Sequence, residues 1–260
     1  MFAAPDSYER FMGRWSRQLA PLFVDFARLP DGGQVLDVGS GVGSLAFALA
    51  ERNPGSRVIG IDPSAEFVAH ANRRNRMPSR VHFETGDAQA MRFADASFRA
   101  GLSLLVWNFV PNPGKALAEM RRVTELGGVI AAAVWDYGDQ MQMLRAFWDA
   151  ATGLNAQPQP RDEKHMPLCR AGELGDLWRQ GGLNDVDEQP LDFAMRFETF
   201  ADYWDPFLLE QGPAGAYVQT LSGDSLRALR EAVKRRLSLS QENTAFSLQA
   251  RAWAVRGTAP

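Results

Sequence analysis

The sequence predicts an α/β protein built on a doubly wound sheet of seven mostly parallel strands, with helical insertions that form a lid. Three observations predict the sheet. Short, almost continuous apolar runs alternate with segments of helical periodicity, which is the pattern of parallel strands covered by helices on both faces. Three successive runs carry an acidic residue at or near their carboxyl end. The first of these runs continues into glycines at alternate positions, which is typical of a tight strand-to-helix turn.

Length and composition restrict the class of protein. At 260 residues the chain can bury the core of one large domain, and we predict a single domain over 1–260. The formal net charge is -3, so the chain lacks the excess of basic residues that is typical of nucleic-acid-binding proteins, and we expect no nucleic-acid partner. No run approaches the ~20 apolar residues of a membrane span, and residues 1–6 lack the pattern of a secretory signal. With Cys169 as the only cysteine, these features predict a cytoplasmic protein that does not enter a membrane.

The first element is an amphipathic helix over residues 7–26, within an N-terminal helical cap over 1–30. Its apolar residues recur every three or four positions, and arginines follow another flank. Packing over the domain explains the apolar residues without any function. The side chains of Tyr8 and Arg14 are long enough to reach a cofactor carboxylate, and both interpretations stay open.

The turn after the first strand is the feature around which the chain is organised. The strand runs through Val35–Val38, and Gly39, Gly41 and Gly43 lead into a helix that begins near Leu45. Glycine allows the positive φ angles of a sharp turn and leaves room for a ligand against the backbone. The helix directs its unpaired N–H groups to the same place. An ordinary glycine-rich strand-to-helix turn is the alternative that this stretch leaves open.

The second strand, over residues 57–62, ends in Asp62, about twenty positions beyond the glycines. Because neighbouring parallel strands end side by side, we expect the Asp62 carboxylate beside the loop. There it can accept hydrogen bonds from both hydroxyls of a ribose. Pro63 and Ser64 begin the next helix. The alternative is that Asp62 only caps that helix.

The remaining strands complete the sheet. A third run over 81–88 again contains an acid, Asp87, which we expect at the same edge. The runs that follow predict, in order, a strand over 99–105, a helix over 113–124, and strands over 127–135, 186–196 and 245–255.

The order of these motifs resembles the S-adenosylmethionine-dependent methyltransferases of the Rossmann-like class, in particular the small-molecule branch related to ubiquinone-biosynthesis methyltransferases. The resemblance rests on Asp37–Gly43, Asp62, Gly86–Ala88, Ser97–Phe98 and Leu126–Val129. It implies a Rossmann-like methyltransferase fold whose last strand is antiparallel, the cofactor S-adenosyl-L-methionine, and a small-molecule methyl acceptor. Arg99 and Leu126 depart from the family's pattern, at positions that usually do not touch the cofactor.

The resemblance also implies roles for the matching residues. Asp37 and the Gly39–Gly43 backbone would hold the methionine end of the cofactor, with loop amides suited to its carboxylate. Asp62 would hold the ribose, and Asp87 with the Ala88 amide the adenine. The candidate cofactor-binding residues are Tyr8, Arg14, Asp37, Gly39, Ser40, Gly41, Gly43, Asp62, Pro63, Asp87, Ala88, Gln89, Ser103 and Leu104, of which Gln89, Ser103 and Leu104 would line the pocket.

Two insertions, over 137–168 and 197–240, are rich in methionine and aromatic residues. We expect them to form a lid over the acceptor site. A pocket with such a lining admits a small apolar or aromatic molecule and excludes water. The alternative for each side chain is that it packs the lid's own core.

The chemistry of methyl transfer makes modest demands on the protein. A sulfonium methyl group is already activated, so its transfer needs alignment of donor and acceptor more than an acid or a base. An oxygen acceptor would usually need a base. Asp136, Tyr137 and His165 are candidate bases because they lie in or beside the first insertion. No His or Cys cluster has metal-ligand spacing, so we predict no metal site.

Two other classes of function stay open. A NAD(P)-dependent oxidoreductase also combines a glycine loop with a ribose-binding acid. Against it, Gly43 follows Gly41 after two positions rather than three, and Asp37 stands where a dinucleotide site has an apolar strand end. The second alternative is a non-catalytic protein that binds S-adenosylmethionine or another metabolite.

Overall fold

The computed structural model describes residues 4–154 and 162–260. Residues 1–3 of the predicted N-terminal cap and residues 155–161 of the first predicted insertion lie outside the described residues. The strands of the described chain are β1 (Gly33–Val38), β2 (Ser56–Asp62), β3 (Val81–Thr85), β4 (Phe98–Leu104), β5 (Thr124–Trp135), β6 (Asn184–Phe197) and β7 (Phe246–Thr258).

These strands form one seven-stranded sheet with the order β3-β2-β1-β4-β5-β7-β6. Strands β1 to β5 pair in parallel, and β7 pairs antiparallel with β5. The doubly wound, mostly parallel sheet is therefore confirmed, with its antiparallel last strand. From β1 the chain first adds β2 and β3 on one side and then crosses to add β4 and β5 on the other side. The edge between β1 and β4 is therefore the topological switch point, where open α/β sheets bind ligands.

The described residues also form ten α-helices. They are α1 (Pro5–Tyr8), α2 (Arg14–Ala27), α3 (Ser44–Arg52), α4 (Ala65–Arg74), α5 (Pro113–Val123), α6 (Gln142–Gly153), α7 (Glu173–Gln180), α8 (Phe200–Trp204), α9 (Gly212–Gln219) and α10 (Gly223–Arg236). A π-helical turn over Glu9–Gly13 joins α1 to α2, and single 3-10 turns cover Trp107–Phe109, Glu163–His165 and Asp205–Leu209.

Side-chain caps explain where several helices begin. The Ser64 hydroxyl accepts the Phe67 amide at the start of α4. Asn112 accepts the Lys115 amide at the start of α5, where Pro113 takes the first turn. Such caps satisfy backbone donors that have no partner inside the helix.

Helix α6 of the first predicted insertion begins only at Gln142. The Asp136 carboxylate accepts the backbone amide of Asp139 at 3.1 Å, which holds the intervening residues in a turn. Likewise, the third strand ends at Thr85 rather than near Ala88, because Asp87 and Ala90 pair across a tight turn.

The described chain divides into two compact units. The sheet unit comprises Gly13–Trp135, Pro167–Leu191 and Ala252–Pro260, and the helical unit comprises Met1–Met12, Asp136–Met166 and Asp192–Arg251, less the residues outside the described ranges. Most of both predicted insertions falls within the helical unit, and the predicted cap over 1–30 is divided between the units.

The sheet unit has its core on the central strands. Residues 130–134 of β5 are completely buried, as are Leu36 of β1 and Leu102 of β4. Burial on both faces requires an apolar run rather than an alternating one, which is the pattern that predicted these strands. Over the described residues, no helix combines the length and the apolarity needed to cross a membrane.

The helical unit is held together by aromatic side chains. The ring of Phe147 stacks on Phe207 at 4.5 Å and meets Trp148 edge-on at 5.0 Å. The Tyr203 hydroxyl donates a hydrogen bond to the Met143 carbonyl oxygen at 2.8 Å. These side chains are almost fully buried, so they pack the unit's own core.

Candidate functional site

The candidate site lies at the carboxyl edge of the sheet unit. Val38 of β1 pairs with Ile61 of β2, and Asp62 pairs with Thr85 of β3, so the three strands end side by side. The glycine loop begins directly after Val38 and leads into α3. Most of the predicted cofactor-binding residues therefore meet at one edge.

The glycines of the loop are required for two different reasons. All three have positive φ angles, +75° at Gly39, +51° at Gly41 and +89° at Gly43. A Cβ at Gly39 would lie 2.5 Å from a Val106 methyl group, and one at Gly43 would lie 2.7 Å from the Phe47 ring. At Gly41 the nearest atom is a Phe67 ring carbon at 4.0 Å, so the protein leaves the space beside this glycine open.

The loop amides bond within the chain. The N–H groups of Gly39 and Ser40 both donate to the Ile61 carbonyl oxygen, at 2.8 and 2.9 Å. The Gly43 amide donates to the Ser40 carbonyl oxygen at 2.8 Å. The amides of Gly39, Ser40 and Gly43 therefore have partners within the sheet unit. That loop amides meet a cofactor carboxylate stays a prediction.

Asp62 joins the end of β2 to the loop. Its Oδ2 accepts the Gly41 amide and its Oδ1 accepts the Ser64 amide, both at 2.9 Å. Burial raises the pKa of Asp62, and these two amides oppose the shift. Asp62 does not merely cap α4, because Ser64 is the N-cap residue. Each carboxylate oxygen retains capacity to accept a further hydrogen bond, for instance from a hydroxyl.

Asp37 is the most unusual group at the edge. Its side chain is 1% exposed, and neither carboxylate oxygen makes a hydrogen bond of good geometry with a described residue. Burial raises its pKa to about 8, the Ala46 amide opposes the shift, and the charge of Asp62 adds to it. Buried carboxylates normally have partners, so this one is suited to a cationic or hydrogen-donating ligand.

Two hydroxyl groups share this property. The side-chain oxygens of Ser40 and Ser44 are buried and have no hydrogen-bond partner in the described part of the chain. Together with Asp37 they place three buried polar side chains on β1, its loop and the first residue of α3. This set is suited to a polar ligand that carries a positive charge near Asp37.

The turn after β3 holds the third predicted acid. Asp87 is exposed, and its Oδ1 accepts the Gln89 amide at 2.8 Å. The Gln89 side-chain oxygen accepts the Asn112 amide at 3.0 Å, so the turn is attached to the start of α5. Ala88 is partly exposed and Pro63 is exposed, beside Asp87 and Asp62 respectively.

The prediction that Ser103 lines the pocket is wrong. Its side chain is completely buried in β4, and its hydroxyl donates to the Val38 carbonyl oxygen at 2.7 Å. This hydrogen bond therefore links β4 to β1. Leu104, the last residue of β4, is 8% exposed and remains at the edge.

The other candidates come from other elements of the chain. Arg14 is in α2 of the sheet unit, with its guanidinium 4.2 Å from the centre of the Trp15 ring. The remaining four, Tyr8, Asp136, Tyr137 and His165, belong to the helical unit. Asp136 and Tyr137 are buried there and His165 is exposed. Burial raises the pKa of Asp136.

Sequence reasoning missed Ser44, Leu105 and Val106. Leu105 follows β4 with a positive φ of 65°, a conformation that leucine rarely adopts. The next residue, Val106, packs its methyl groups against Gly39. A leucine gives no turn signal in a sequence, whereas a serine that begins a helix directly after the glycines could have been noticed.

No group of three His, Cys, Asp or Glu side chains among residues 4–154 and 162–260 could hold a metal ion.

Comparison with known proteins identifies relatives. A family described as "Methyltransferase domain" matches residues 36–132. The 2-methyl-6-phytyl-1,4-hydroquinone methyltransferase of Synechocystis sp. is 33% identical over 121 residues, covering 46% of this chain and 38% of the relative. An uncharacterised protein of Mycobacterium bovis is 30% identical over 204 residues, covering 75% of this chain and 70% of the relative.

A solved structure has the same fold. Phosphoethanolamine N-methyltransferase 2 of Haemonchus contortus, in complex with S-adenosyl-L-methionine, superposes with a TM-score of 0.58 at 17% identity. The match covers 98% of this chain and 56% of that chain. The chain spans 36 to 48% of the length of the first four curated relatives it matches.

Proposed function

We propose that this chain is an S-adenosylmethionine-dependent methyltransferase of the Rossmann-like class, which binds S-adenosylmethionine and transfers its methyl group to a small apolar or aromatic molecule. The observation that carries the proposal is the buried Asp37 carboxylate, which has no hydrogen bond of good geometry with a described residue. It supports a ligand that brings a positive charge to the glycine loop.

The residues at the edge fit this cofactor. The ammonium group of its methionine end would pair with Asp37, restore the ionised form and lower the raised pKa. The unpartnered hydroxyls of Ser40 and Ser44 and the open face of Gly41 offer further contacts and space. Asp62 would accept the ribose hydroxyls.

The adenine end would meet the turn after β3. Asp87 presents a carboxylate that can accept an amino group, and the Ala88 amide can donate to a ring nitrogen. Gln89 supports this turn through the Asn112 amide and needs no contact with the ligand to do so.

When bound, S-adenosylmethionine supplies a methyl group that its sulfonium centre has already activated for displacement. The sheet unit therefore has to hold and align rather than to move protons. If the acceptor atom is an oxygen, a base has to remove its proton, and Asp136, Tyr137 and His165 of the helical unit remain the candidates.

A NAD(P)-dependent oxidoreductase is not favoured. The pyrophosphate of a dinucleotide needs free loop amides, whereas the amides of Gly39, Ser40, Gly41 and Gly43 all donate within the chain.

The acceptor is proposed from the relatives. The Synechocystis enzyme is named for a hydroquinone, which is an aromatic and largely apolar molecule. We propose that the segments 137–168 and 197–240 act as the lid and select the acceptor. Because Phe147, Trp148 and Phe207 pack on one another, we assign acceptor contacts to less buried side chains of these segments. Cytoplasmic location and the lack of a nucleic-acid partner remain predictions from the sequence.

Calorimetry tests the cofactor. Purified protein is titrated with S-adenosylmethionine, S-adenosylhomocysteine, NAD and NADP, and we expect binding of the two sulfur nucleotides alone. Binding of a nicotinamide nucleotide instead would contradict the proposal. Methyl transfer from labelled S-adenosylmethionine to a panel of hydroquinones and phenols then tests activity. Cofactor binding without turnover on the whole panel would favour the non-catalytic alternative.

Proteolysis tests the lid. We expect cleavage within 137–168 and 197–240 to slow when S-adenosylhomocysteine and an accepted phenol are both present. Equal cleavage with and without the ligands would count against a lid.

A further inference from the structure

The segment between β3 and β4 is attached by hydrogen bonds to the C-terminal half of α5. Arg122 donates to two backbone carbonyl oxygens of this segment, those of Phe93 at 2.8 Å and Met91 at 3.0 Å. Glu119 accepts the backbone amide of Met91 at 2.8 Å. Met91 is therefore held through both of its backbone polar groups, by two side chains one turn apart on the same helix.

The two side chains also hold each other. The Arg122 guanidinium bonds both oxygens of Glu119, at 2.8 and 2.9 Å, and a further N–H reaches Asp95 at 2.8 Å. This pairing lowers the pKa of Glu119. A planar guanidinium with several donors can serve a carboxylate and two carbonyl groups at once, which an ammonium cannot do with the same geometry.

The point of attachment lies directly after the turn that carries the third acid. The Ala90 amide donates to the Asp87 carbonyl oxygen at 3.1 Å and closes this turn, and Met91 is the next residue. Asp87 itself is exposed, so little packing fixes its side chain. The direction of its carboxylate and of the Ala88 amide therefore depends on how the backbone of the turn is held.

We propose that Glu119 and Arg122 are positioning residues for the adenine end of the site. By holding Met91, they set the turn 87–90 so that the Asp87 carboxylate and the Ala88 amide face the base. The inference rests on the proposed function, since it assumes that this turn receives adenine. Neither side chain has to touch the ligand, and both act through the backbone of the turn.

The test compares Arg122→Gln and Glu119→Gln with the wild type. Arg52→Gln is the matched control. Like Arg122, Arg52 of α3 bonds both oxygens of a carboxylate, here that of Asp25 in α2. Affinities for S-adenosylhomocysteine and for S-inosylhomocysteine, in which an oxo group replaces the adenine amino group, are measured by calorimetry. Amide hydrogen exchange of residues 87–91 is measured without ligand.

We expect the wild type to prefer the adenine form by roughly tenfold. The oxo group cannot donate to Asp87, and the ring nitrogen beside it then carries a hydrogen and cannot accept from the Ala88 amide. Arg122→Gln should reduce this preference by about fivefold and speed exchange of the turn by a similar factor. Arg52→Gln should leave both quantities as in the wild type. A general loss of stability would weaken both ligands alike and leave the preference unchanged.

The outcomes separate the two proposals. Unchanged preference and unchanged exchange in Arg122→Gln would overturn the positioning role. If the wild type does not bind S-adenosylhomocysteine, the proposed function fails, and the exchange data still show whether the pair holds the turn. If Arg122→Gln does not fold, Glu119→Gln decides, because glutamine keeps the shape and an acceptor for the Met91 amide but loses the ion pair.

Discussion

The carboxylate of Asp62 accepts a hydrogen bond from the backbone amide of Gly41 across 2.9 Å. The bond links the end of β2 to the middle of the glycine loop. Gly41 is the loop glycine at which a side chain would meet open space rather than a neighbouring residue. An acid at this position therefore has two tasks, to shape the loop and to receive the ligand. The two tasks can be separated by mutation.

Two replacements of Asp62 should weaken cofactor binding to different degrees. Asp62→Ala removes the acceptors for the ribose and for the Gly41 amide, so we expect at least a tenfold loss of affinity, about 1.4 kcal/mol. Asp62→Asn keeps one acceptor oxygen and should fall between the alanine variant and the wild type. Calorimetry with S-adenosylhomocysteine measures both, and unchanged affinity in a folded Asp62→Ala protein would contradict the assignment.

Asp37→Asn should stabilise the ligand-free protein and weaken the complex. Burial raises the pKa of Asp37 from 3.8 to about 8, so the folded state disfavours the ionised form and loses stability as the pH rises from about 4 to about 8. A neutral isostere removes this loss, on the order of a few kcal/mol at pH 8. It also removes the charge that would pair with the cofactor ammonium group, so affinity should fall more than tenfold.

Thermal unfolding at pH 5 and pH 8, with and without S-adenosylhomocysteine, measures both effects. The gain in melting temperature without ligand should be larger at pH 8. A variant that is less stable at pH 8 without ligand, or that binds as tightly as the wild type, would show that Asp37 has only a structural role.

The sequence predicted the sheet and its edge because both follow from local patterns. Apolar runs, alternate glycines and terminal acids placed Asp37 and Asp62 at one edge, where the structure has them. Hydrogen bonds between distant residues could not be predicted in the same way. The spacing of the glycines does not show that the Gly41 amide bonds to Asp62, nor that Ser103 faces Val38 rather than a ligand. Such partners depend on strand register and side-chain direction, which a single sequence does not specify.

Ser103→Ala tests the structural role of this serine. The variant leaves the Val38 carbonyl oxygen without its hydroxyl donor in a completely buried position, and we expect a loss of stability of about 1–3 kcal/mol. Affinity for S-adenosylhomocysteine should change by less than about twofold, because the side chain reaches no open space. Urea unfolding and calorimetry measure the two quantities. A large loss of affinity at nearly unchanged stability would return Ser103 to the list of pocket residues.

Glu163→Gln should flatten the dependence of the helical unit's stability on pH. The Glu163 carboxylate is buried and accepts the Trp148 indole N–H at 2.7 Å, and burial, with Asp162 adding, raises its pKa from 4.5 to about 7. The folded state therefore binds this proton more tightly than the unfolded chain does. The contribution of this carboxyl group to stability is greatest below pH 4.5 and falls as the pH rises to 7. Glutamine keeps an acceptor for Trp148 but does not titrate, and we expect a gain on the order of 3 kcal/mol at pH 8. Calorimetric unfolding at pH 5 and pH 8 measures this gain in stability. Glu231→Gln, on the surface of α10, is the control. If the stability of Glu163→Gln depended on pH as strongly as that of the wild type, the interpretation of Glu163 as a buried acid would be contradicted.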